Sequence, residues 1–189
     1  MKASTANFIL TKLLGWHPEP NFPKDEKALI LGVPHTSVWD FLIAYLYARS
    51  KNADLHILVK ENFFFWPVGP LLKKWGAIPL KKRQEGGAGA ALQMVEAFKT
   101  HDKILMGIAP EGTRKPVKKW KTGYHTIATR AGVPVYAGFI NWEKKYVSYG
   151  DVFPLTDDVR ADTLRLQKYY KTLGVGAKHP ENFVFDDDV

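Results

Sequence analysis

Short apolar runs that alternate with helical patterns are the feature that most constrains how this chain can fold. Residues 28–33 (ALILGV) form a continuous apolar run, which is typical of a strand buried on both faces of a sheet. Because such runs alternate with helices, the sequence predicts a single α/β layered domain whose mostly parallel or mixed sheet is flanked by helices. The further strands are predicted at residues 56–59, 77–80, 104–108, 133–140 and 145–149.

Apolar residues at helical spacing predict helices between and around these strands. The first is a short amphipathic helix over residues 5–15, which ends at Gly15 and has Pro18 beyond it. It either caps the core or lies on a membrane surface, with Phe8 and Trp16 as anchors. The other helices are predicted from residue 40 to about 49, near 88–99, over 122–131 and over 164–173.

Composition restricts the classes of partner. The net charge of +8 indicates an anionic partner, which could be nucleic acid, an anionic membrane surface or a phosphorylated small molecule. Six Trp and an aromatic share of 13% suit a membrane interface. The basic residues are scattered and no nucleic-acid-binding motif occurs, so nucleic acid is disfavoured. With no cysteine, the chain has no thiol nucleophile and no thiolate metal site.

The localisation predicted from these features is cytoplasmic, peripheral on the inner face of the membrane. No stretch approaches the roughly 18 to 20 uncharged apolar residues that span a bilayer. The N-terminus has Lys2 but lacks the apolar core and cleavage site of a signal peptide.

A histidine and an aspartate in the segment His35-Thr36-Ser37-Val38-Trp39-Asp40 are candidates for catalysis. On one continuous helix this spacing would turn the two side chains about 140° apart, but across a loop-to-helix junction they can converge. The carboxylate can then take the proton of one imidazole nitrogen and leave the other as a base. This is the His–Asp half of a catalytic triad without its serine, and it suits direct activation of a substrate hydroxyl.

A second candidate segment, Glu111-Gly112-Thr113-Arg114, follows the strand predicted at residues 104–108. Gly112 allows a tight backbone turn, and Arg114 offers a planar fork that matches phosphate or carboxylate oxygens. Glu111 could hold that arginine in place or bind a substrate hydroxyl. The alternative is a solvated turn with a local ion pair.

From about residue 28 to residue 136, the chain resembles the glycerolipid acyltransferases typified by the 1-acylglycerol-3-phosphate acyltransferases. The segments beginning at His35 and Glu111 match the family's first and third motifs, in the family's order. Residues 76–83 (GAIPLKKR) resemble the second motif, and residues 133–135 (VPV) the fourth. Lys60-Glu61 resembles a Lys-Glu segment between the first two.

The resemblance implies a role for each matching residue. His35 would be the general base for the acceptor hydroxyl, and Asp40 would orient it. The remaining members of the motifs would bind substrate: Lys60 and Arg114 at the acceptor's phosphate, Glu111 positioning the acceptor, Gly112 and Thr113 beside them, and Lys82 with Arg83 in the second motif.

The reaction implied is transfer of a fatty acyl group from acyl-CoA or acyl-carrier protein to a hydroxyl of a lysophospholipid-type acceptor, with residues 1–189 as one acyltransferase domain. No metal or other cofactor is implied. Pro34 replaces the family's usual asparagine, and Lys81-Lys82 replaces its Asp-Arg. Lysine and arginine are not equivalent at a phosphate, so a lyso-aminolipid is an alternative acceptor. A catalytically silent membrane-surface protein is a further alternative, which the intact His–Asp pair disfavours.

The aromatic residues between positions 62 and 75 have two interpretations. They either pack in the core or form an apolar surface that guides an acyl chain from the membrane. Pro67, Gly69 and Pro70 argue against a regular helix through the middle of this segment. Lys73 and Lys74 would suit anionic headgroups.

Overall fold

Helices and strands alternate along most of the chain in the computed structural model, which describes residues 1–82 and 86–189. The strands are β1 His17–Pro18, β2 Lys27–Leu31, β3 Leu55–Lys60, β4 Ala77–Leu80, β5 Ile104–Ile108, β6 Val135–Tyr136, β7 Phe139–Asn141 and β8 Tyr146–Ser148. The α-helices are α1 Ala3–Phe8, α2 Trp39–Ser50, α3 Val68–Lys74, α4 Gly87–Thr100, α5 Gly123–Ala131 and α6 Val159–Leu173. This order confirms the predicted α/β class.

The main sheet has five strands in the order β4-β3-β5-β2-β6, and all of its pairings are parallel. Leu31 at the end of β2 pairs with Ile108 at the end of β5, and Lys60 at the end of β3 pairs with Leu80 at the end of β4. The carboxyl ends of these four strands therefore lie along one edge of the sheet.

The central strand β2 explains why both faces of the sheet are covered. Leu29 and Leu31 lie in the core cluster formed with α4, α5 and α6. Ala28 and Ile30 lie in a second cluster, with α1 and α2 on the opposite face. Because successive side chains of a strand point to opposite faces, a continuous apolar run is needed to fill both cores.

The single strand predicted over residues 133–140 is wrong, because two strands occupy this stretch. β6 pairs with β2 in the main sheet, whereas β7 belongs to a small sheet in the order β1-β8-β7. Gly138 lies in the turn between them, where a Cβ atom would approach the carbonyl oxygen of Leu31 to 2.5 Å. The close approach of two backbones requires glycine here and carries the chain from one sheet to the other.

At the N-terminus, α1 continues as a π-helical turn over Ile9–Leu13. Phe8 is exposed, but Trp16 is buried and packs edge-on against Trp142, with ring centroids 4.9 Å apart. Trp16 as a membrane anchor is therefore wrong, since its ring belongs to the core. Among the described residues, no helix is both long enough and apolar enough to cross a bilayer.

The aromatic segment contains a helix, α3, which the sequence argued against. Pro70 is tolerated because it occupies the third position of α3, where the helix does not require a backbone N–H. The rings of Phe63, Phe65 and Trp66 are exposed, so core packing is wrong for these three side chains.

The last helix, α6, begins five residues earlier than predicted. Asp158 caps its N-terminus by accepting a hydrogen bond of 2.9 Å from the backbone N–H of Ala161. The buried face of α6 includes Thr163 and Gln167, and these polar side chains hide the apolar spacing on which the prediction relied.

Candidate active site

The predicted site residues follow the carboxyl ends of neighbouring strands. His35 lies four residues after β2, and the segment from Glu111 to Arg114 follows β5, the strand next to β2. Lys60 ends β3, one strand further along the edge, and Lys82 follows β4 at the margin of the sheet. Since adjacent strands lie about 4.8 Å apart, His35 and Arg114 follow strands separated by a single spacing. Arg83 lies outside the described residues.

The His35 and Asp40 side chains converge across the junction between loop and helix. His35 Nδ1 lies 3.8 Å from Asp40 Oδ2, with the imidazole one-third exposed and the carboxylate buried. This distance exceeds that of a hydrogen bond, so the pair is in contact without being fully engaged. Because Nδ1 faces the carboxylate, Nε2 is the nitrogen that remains for a substrate.

The loop before α2 is organised around the Asp40 carboxylate. Oδ2 accepts hydrogen bonds from the backbone N–H groups of Thr36 and Ser37, at 2.8 and 2.7 Å. Asp40 also lies in the first turn of α2, where the helix dipole favours a negative charge. The loop geometry that brings His35 back towards α2 therefore depends on Asp40.

Trp142 makes a further contact with the pair that sequence reasoning missed. Its indole Nε1 donates a hydrogen bond of 2.8 Å to Asp40 Oδ1, across a separation of 102 positions. The Trp142 ring packs against the ring of Trp16 and lies 4.5 Å from the Lys178 ammonium group, measured to the ring centroid. Its backbone N–H donates a hydrogen bond of 2.8 Å to the carbonyl oxygen of Gly176. No local motif marks this tryptophan, because its partners come from distant parts of the chain.

Glu111 lies beneath His35. Its side chain is 5% exposed, and Oε1 accepts a hydrogen bond of 2.9 Å from the backbone N–H of His35. Oε2 is buried and has no hydrogen-bond partner among the described residues. Burial raises the pKa of Glu111 to about 7, although the hydrogen bonds from backbone N–H groups oppose this shift.

Glu111 forms no ion pair with Arg114 among the described residues, so the alternative in which Glu111 holds that arginine in place is not observed. The Glu111 carboxylate instead reaches the candidate base through the His35 backbone. Its predicted role of positioning the acceptor stays a prediction.

The turn from Gly112 to Arg114 presents its arginine to solvent. Gly112 has φ of +66°, and a Cβ atom there would come within 2.9 Å of Lys121 Cγ. The predicted tight turn is confirmed, since that φ is costly for other residues and the space beside it is filled. Thr113 Oγ1 accepts from the backbone N–H of Lys115, which stabilises the turn locally.

A cavity of about 1160 Å³ brings most of these side chains together. His35, Asp40, Lys60 and the turn formed by Gly112, Thr113 and Arg114 all line it. Lys121 and Arg130 also line it and were not predicted, because neither belongs to a motif. In the described part of the chain, Lys82 and Glu111 are not among the lining residues.

Burial, more than the neighbouring charges, favours the neutral form of the His35 imidazole. Burial lowers its pKa below the usual value of 6.5, the Asp40 carboxylate raises it, and the Arg114 guanidinium lowers it. Burial raises the pKa of Asp40, against the hydrogen bonds from Ser37, Trp142 and Thr36 that lower it. A neutral imidazole beside a hydrogen-bonded carboxylate can accept a proton, and the nearby arginine can hold an anionic group.

Comparison with known proteins places this chain in a family. A protein-family model described as Acyltransferase matches residues 16–140, about two thirds of the chain. No curated protein and no solved structure gives a significant match. The matched range includes the positions of His35 and Arg114, which line the cavity. The chain therefore belongs to the acyltransferase family, which confirms its resemblance to the glycerolipid acyltransferases.

Proposed function

We propose that this acyltransferase moves a fatty acyl group from acyl-CoA or acyl-carrier protein to a hydroxyl of a lysophospholipid-type acceptor such as 1-acylglycerol-3-phosphate. One observation carries the proposal: a partly exposed His35, whose pKa is lowered by burial, lies beside buried Asp40 in a cavity that Arg114 also lines. A base and an anion-binding group in one cavity match an acceptor that carries both a hydroxyl and a phosphate.

In this mechanism His35 acts as a general base at Nε2. As it takes the hydroxyl proton, the acceptor oxygen attacks the thioester carbonyl and forms a tetrahedral oxyanion. Collapse of this intermediate breaks the C–S bond and expels the thiolate, which receives the proton from His35. General-base catalysis of this kind contributes about 10²- to 10⁴-fold to the rate.

Asp40 orients the imidazole and stabilises the imidazolium that forms. Its 3.8 Å separation from His35 Nδ1 must shorten by about 1 Å for a hydrogen bond to form. Such contacts commonly tighten when substrate binds. Since Thr36, Ser37 and Trp142 fix the carboxylate, the partly exposed imidazole is the partner expected to move.

Arg114 is suited to the acceptor's phosphate. It is exposed, it lines the cavity, and it has no hydrogen bond or ion pair within the described residues. A guanidinium with free donors can bind two phosphate oxygens at once. Its strand is adjacent to that of His35, so one acceptor could place its hydroxyl at His35 and its phosphate at Arg114. Lys60, one strand further along, could add a second positive charge.

The cavity also suits long apolar chains. Its volume of about 1160 Å³ exceeds the roughly 300–1,000 Å³ typical of small-molecule sites. Apolar side chains from β3, β4 and α4 line it, including Leu58, Leu80 and Val95. A lyso-aminolipid is a second candidate acceptor. Lys81-Lys82 replaces the family's Asp-Arg, and Lys82 does not line the described part of the cavity, so the arginine that the family motif would offer to a phosphate has no equivalent there.

The test is a panel of lipid acceptors with radiolabelled acyl-CoA and acyl-carrier protein donors, in which the released thiol and the acylated lipid are both measured. We expect stoichiometric thiol release and product with 1-acylglycerol-3-phosphate. His35→Ala should lower the rate at least about 100-fold without changing Tm. Thiol release without acylated lipid would indicate a hydrolase. Equal rates for both proteins would remove His35 from the mechanism, and acylation of only a lyso-aminolipid would favour the alternative acceptor.

A further inference from the structure

We propose that the exposed side chains of Phe63, Phe65, Trp66 and Leu71, here called the aromatic surface, dock on an anionic lipid bilayer and turn the candidate active site towards it. The proposal rests on the proposed function in one respect, because an enzyme whose acceptor is a lipid must reach that lipid in the bilayer. The evidence for the docking surface itself is the exposure, position and charge of this segment.

The exposure of the aromatic surface is unusual for side chains of this size. Trp66 is 84% exposed, and Phe63, Phe65 and Leu71 are 54%, 58% and 44% exposed. A single exposed apolar residue needs no explanation, but four large ones within nine positions of the chain do. Folding leaves this apolar area in water, so covering it would be favourable.

The position of the aromatic surface links it to the cavity. It begins three residues after Lys60, which ends β3 and lines the cavity, and the chain then returns to the sheet at β4. A row of rings connects the end of α3 to α2: Trp75 directly follows α3, its ring centroid lies 6.0 Å from that of Tyr45, and the Tyr45 centroid lies 6.0 Å from that of Phe41. The segment is therefore packed beside the helix that carries Asp40.

A second exposed apolar pair lies at the same edge of the sheet. Val38 is 60% exposed and Trp39 is 52% exposed, between His35 and Asp40 in the chain. These residues follow β2, and the aromatic surface follows β3, two strands away in the sheet order. Both segments neighbour cavity-lining residues in the chain, Lys60 in one case and His35 with Asp40 in the other, so a bilayer that covers both segments would lie at the cavity edge of the sheet.

Charge identifies the kind of surface that fits. From position 60 to position 82 the chain carries five lysines and one glutamate, Glu61. Lysines beside apolar rings match anionic headgroups above acyl chains, because lysine ammonium groups attract the headgroups while the rings enter the interface. Trp66 and Phe65 have the size and exposure to be inserted, and Lys73 and Lys74 are exposed on the helix that follows them.

An anionic bilayer is favoured over an acidic carrier protein as the occupant. The proposed acceptor and its product both carry acyl chains, which reside in a membrane and not in water. Docking at this edge would let either molecule pass between bilayer and cavity without exposing its chain to solvent. A carrier protein remains a measurable alternative, because it too would present negative charge to the lysines.

The experiment compares the wild-type protein with the double variant Phe65→Ala/Trp66→Ala, using sedimentation with vesicles of phosphatidylcholine, with and without phosphatidylglycerol. The matched control is Val152→Ala/Leu173→Ala, which removes two exposed apolar side chains far along the chain from the site. We expect the Kd for anionic vesicles to rise at least about tenfold in the aromatic variant and to stay unchanged in the control, with Tm unchanged in both. Wild-type binding should weaken with salt and without phosphatidylglycerol.

Activity separates this inference from the proposed function. The aromatic variant should retain its rate with a short-chain, water-soluble acceptor and lose at least about tenfold with acceptor in vesicles. If the wild-type protein acylates the soluble acceptor but does not bind vesicles, the docking proposal is contradicted and the proposed function stands. Vesicle binding that requires the aromatic surface, without transfer to any acceptor, would support docking and remove the proposed function. Unchanged vesicle binding with a higher KM for acyl-carrier protein would assign the surface to the carrier and overturn the bilayer.

Discussion

The buried carboxyl group of Glu111 makes the stability of the protein depend on pH in a direction that can be measured. Burial raises its pKa in the folded state to about 7, from an ordinary value of 4.5 in the unfolded chain. Between pH 4.5 and about 7, the Glu111 carboxyl group therefore holds a proton in the folded state that it releases in the unfolded state. This contribution to stability is fully present below pH 4.5 and is lost as pH rises through about 7.

The size of the effect follows from the same two values. Each pH unit between 4.5 and about 7 is worth about 1.4 kcal/mol, so ionised Glu111 costs the folded state about 3 kcal/mol. The Glu111→Gln variant removes the ionisation and keeps an oxygen that can accept from the His35 N–H. We therefore expect the free energy of unfolding of Glu111→Gln, relative to wild type, to rise by about 2 to 3 kcal/mol between pH 5 and pH 8.5.

The assay is urea denaturation of both proteins across this pH range, followed by circular dichroism. Comparing the two proteins at each pH cancels the titration of the other groups. Glu96→Gln, at an exposed position on α4, makes the same chemical change without burial and is the matched control. A difference between Glu111→Gln and wild type that stays constant with pH would refute the reasoning, because the carboxyl group would then not be held protonated.

Substitutions at two further positions, Arg114 and Trp142, separate substrate binding from orientation of the catalytic pair. Arg114→Ala should raise the acceptor KM about tenfold to a hundredfold in steady-state kinetics. Arg114→Lys should recover only part of this loss of acceptor binding, because the point charge of an ammonium cannot replace the planar, two-pronged guanidinium. A rise in the donor KM alone would instead place Arg114 at the donor. Trp142→Phe keeps an aromatic ring but removes the indole N–H, and with it the hydrogen bond that lowers the pKa of Asp40. We therefore expect kcat to fall about tenfold and the acid limb of the pH–rate profile to move to higher pH. A lower Tm with an unchanged profile would make Trp142 purely structural.

The strands and helices were largely predictable because their patterns are local. The run at residues 28–33 predicts a strand buried on both faces, and β2 has both of its faces covered. The helix predicted over residues 122–131 is α5, which ends at a glycine in the left-handed conformation as its sequence indicates. The predictions fail where polar residues face the core, as in α6, or where the chain changes sheets, as at Gly138.

The neighbourhood of the candidate site also follows from the sequence. His35 and Arg114 lie just beyond predicted strands, and parallel strands bring such loops to one edge of a sheet. Their motifs indicate a family, and the family match confirms it. The sequence alone therefore determined the fold class, the family and the edge of the sheet at which chemistry is expected.

Only the tertiary structure decided what surrounds these side chains. The hydrogen bond from Trp142 to Asp40 joins residues 102 positions apart, and the burial of Glu111 depends on how the segments that follow β2 and β5 pack together. The exposure of Trp66 likewise depends on which face of its segment the fold covers. Local sequence patterns report the preferences of a few neighbouring residues. Contacts between distant segments, and the burial that shifts a pKa, arise only when the whole chain packs.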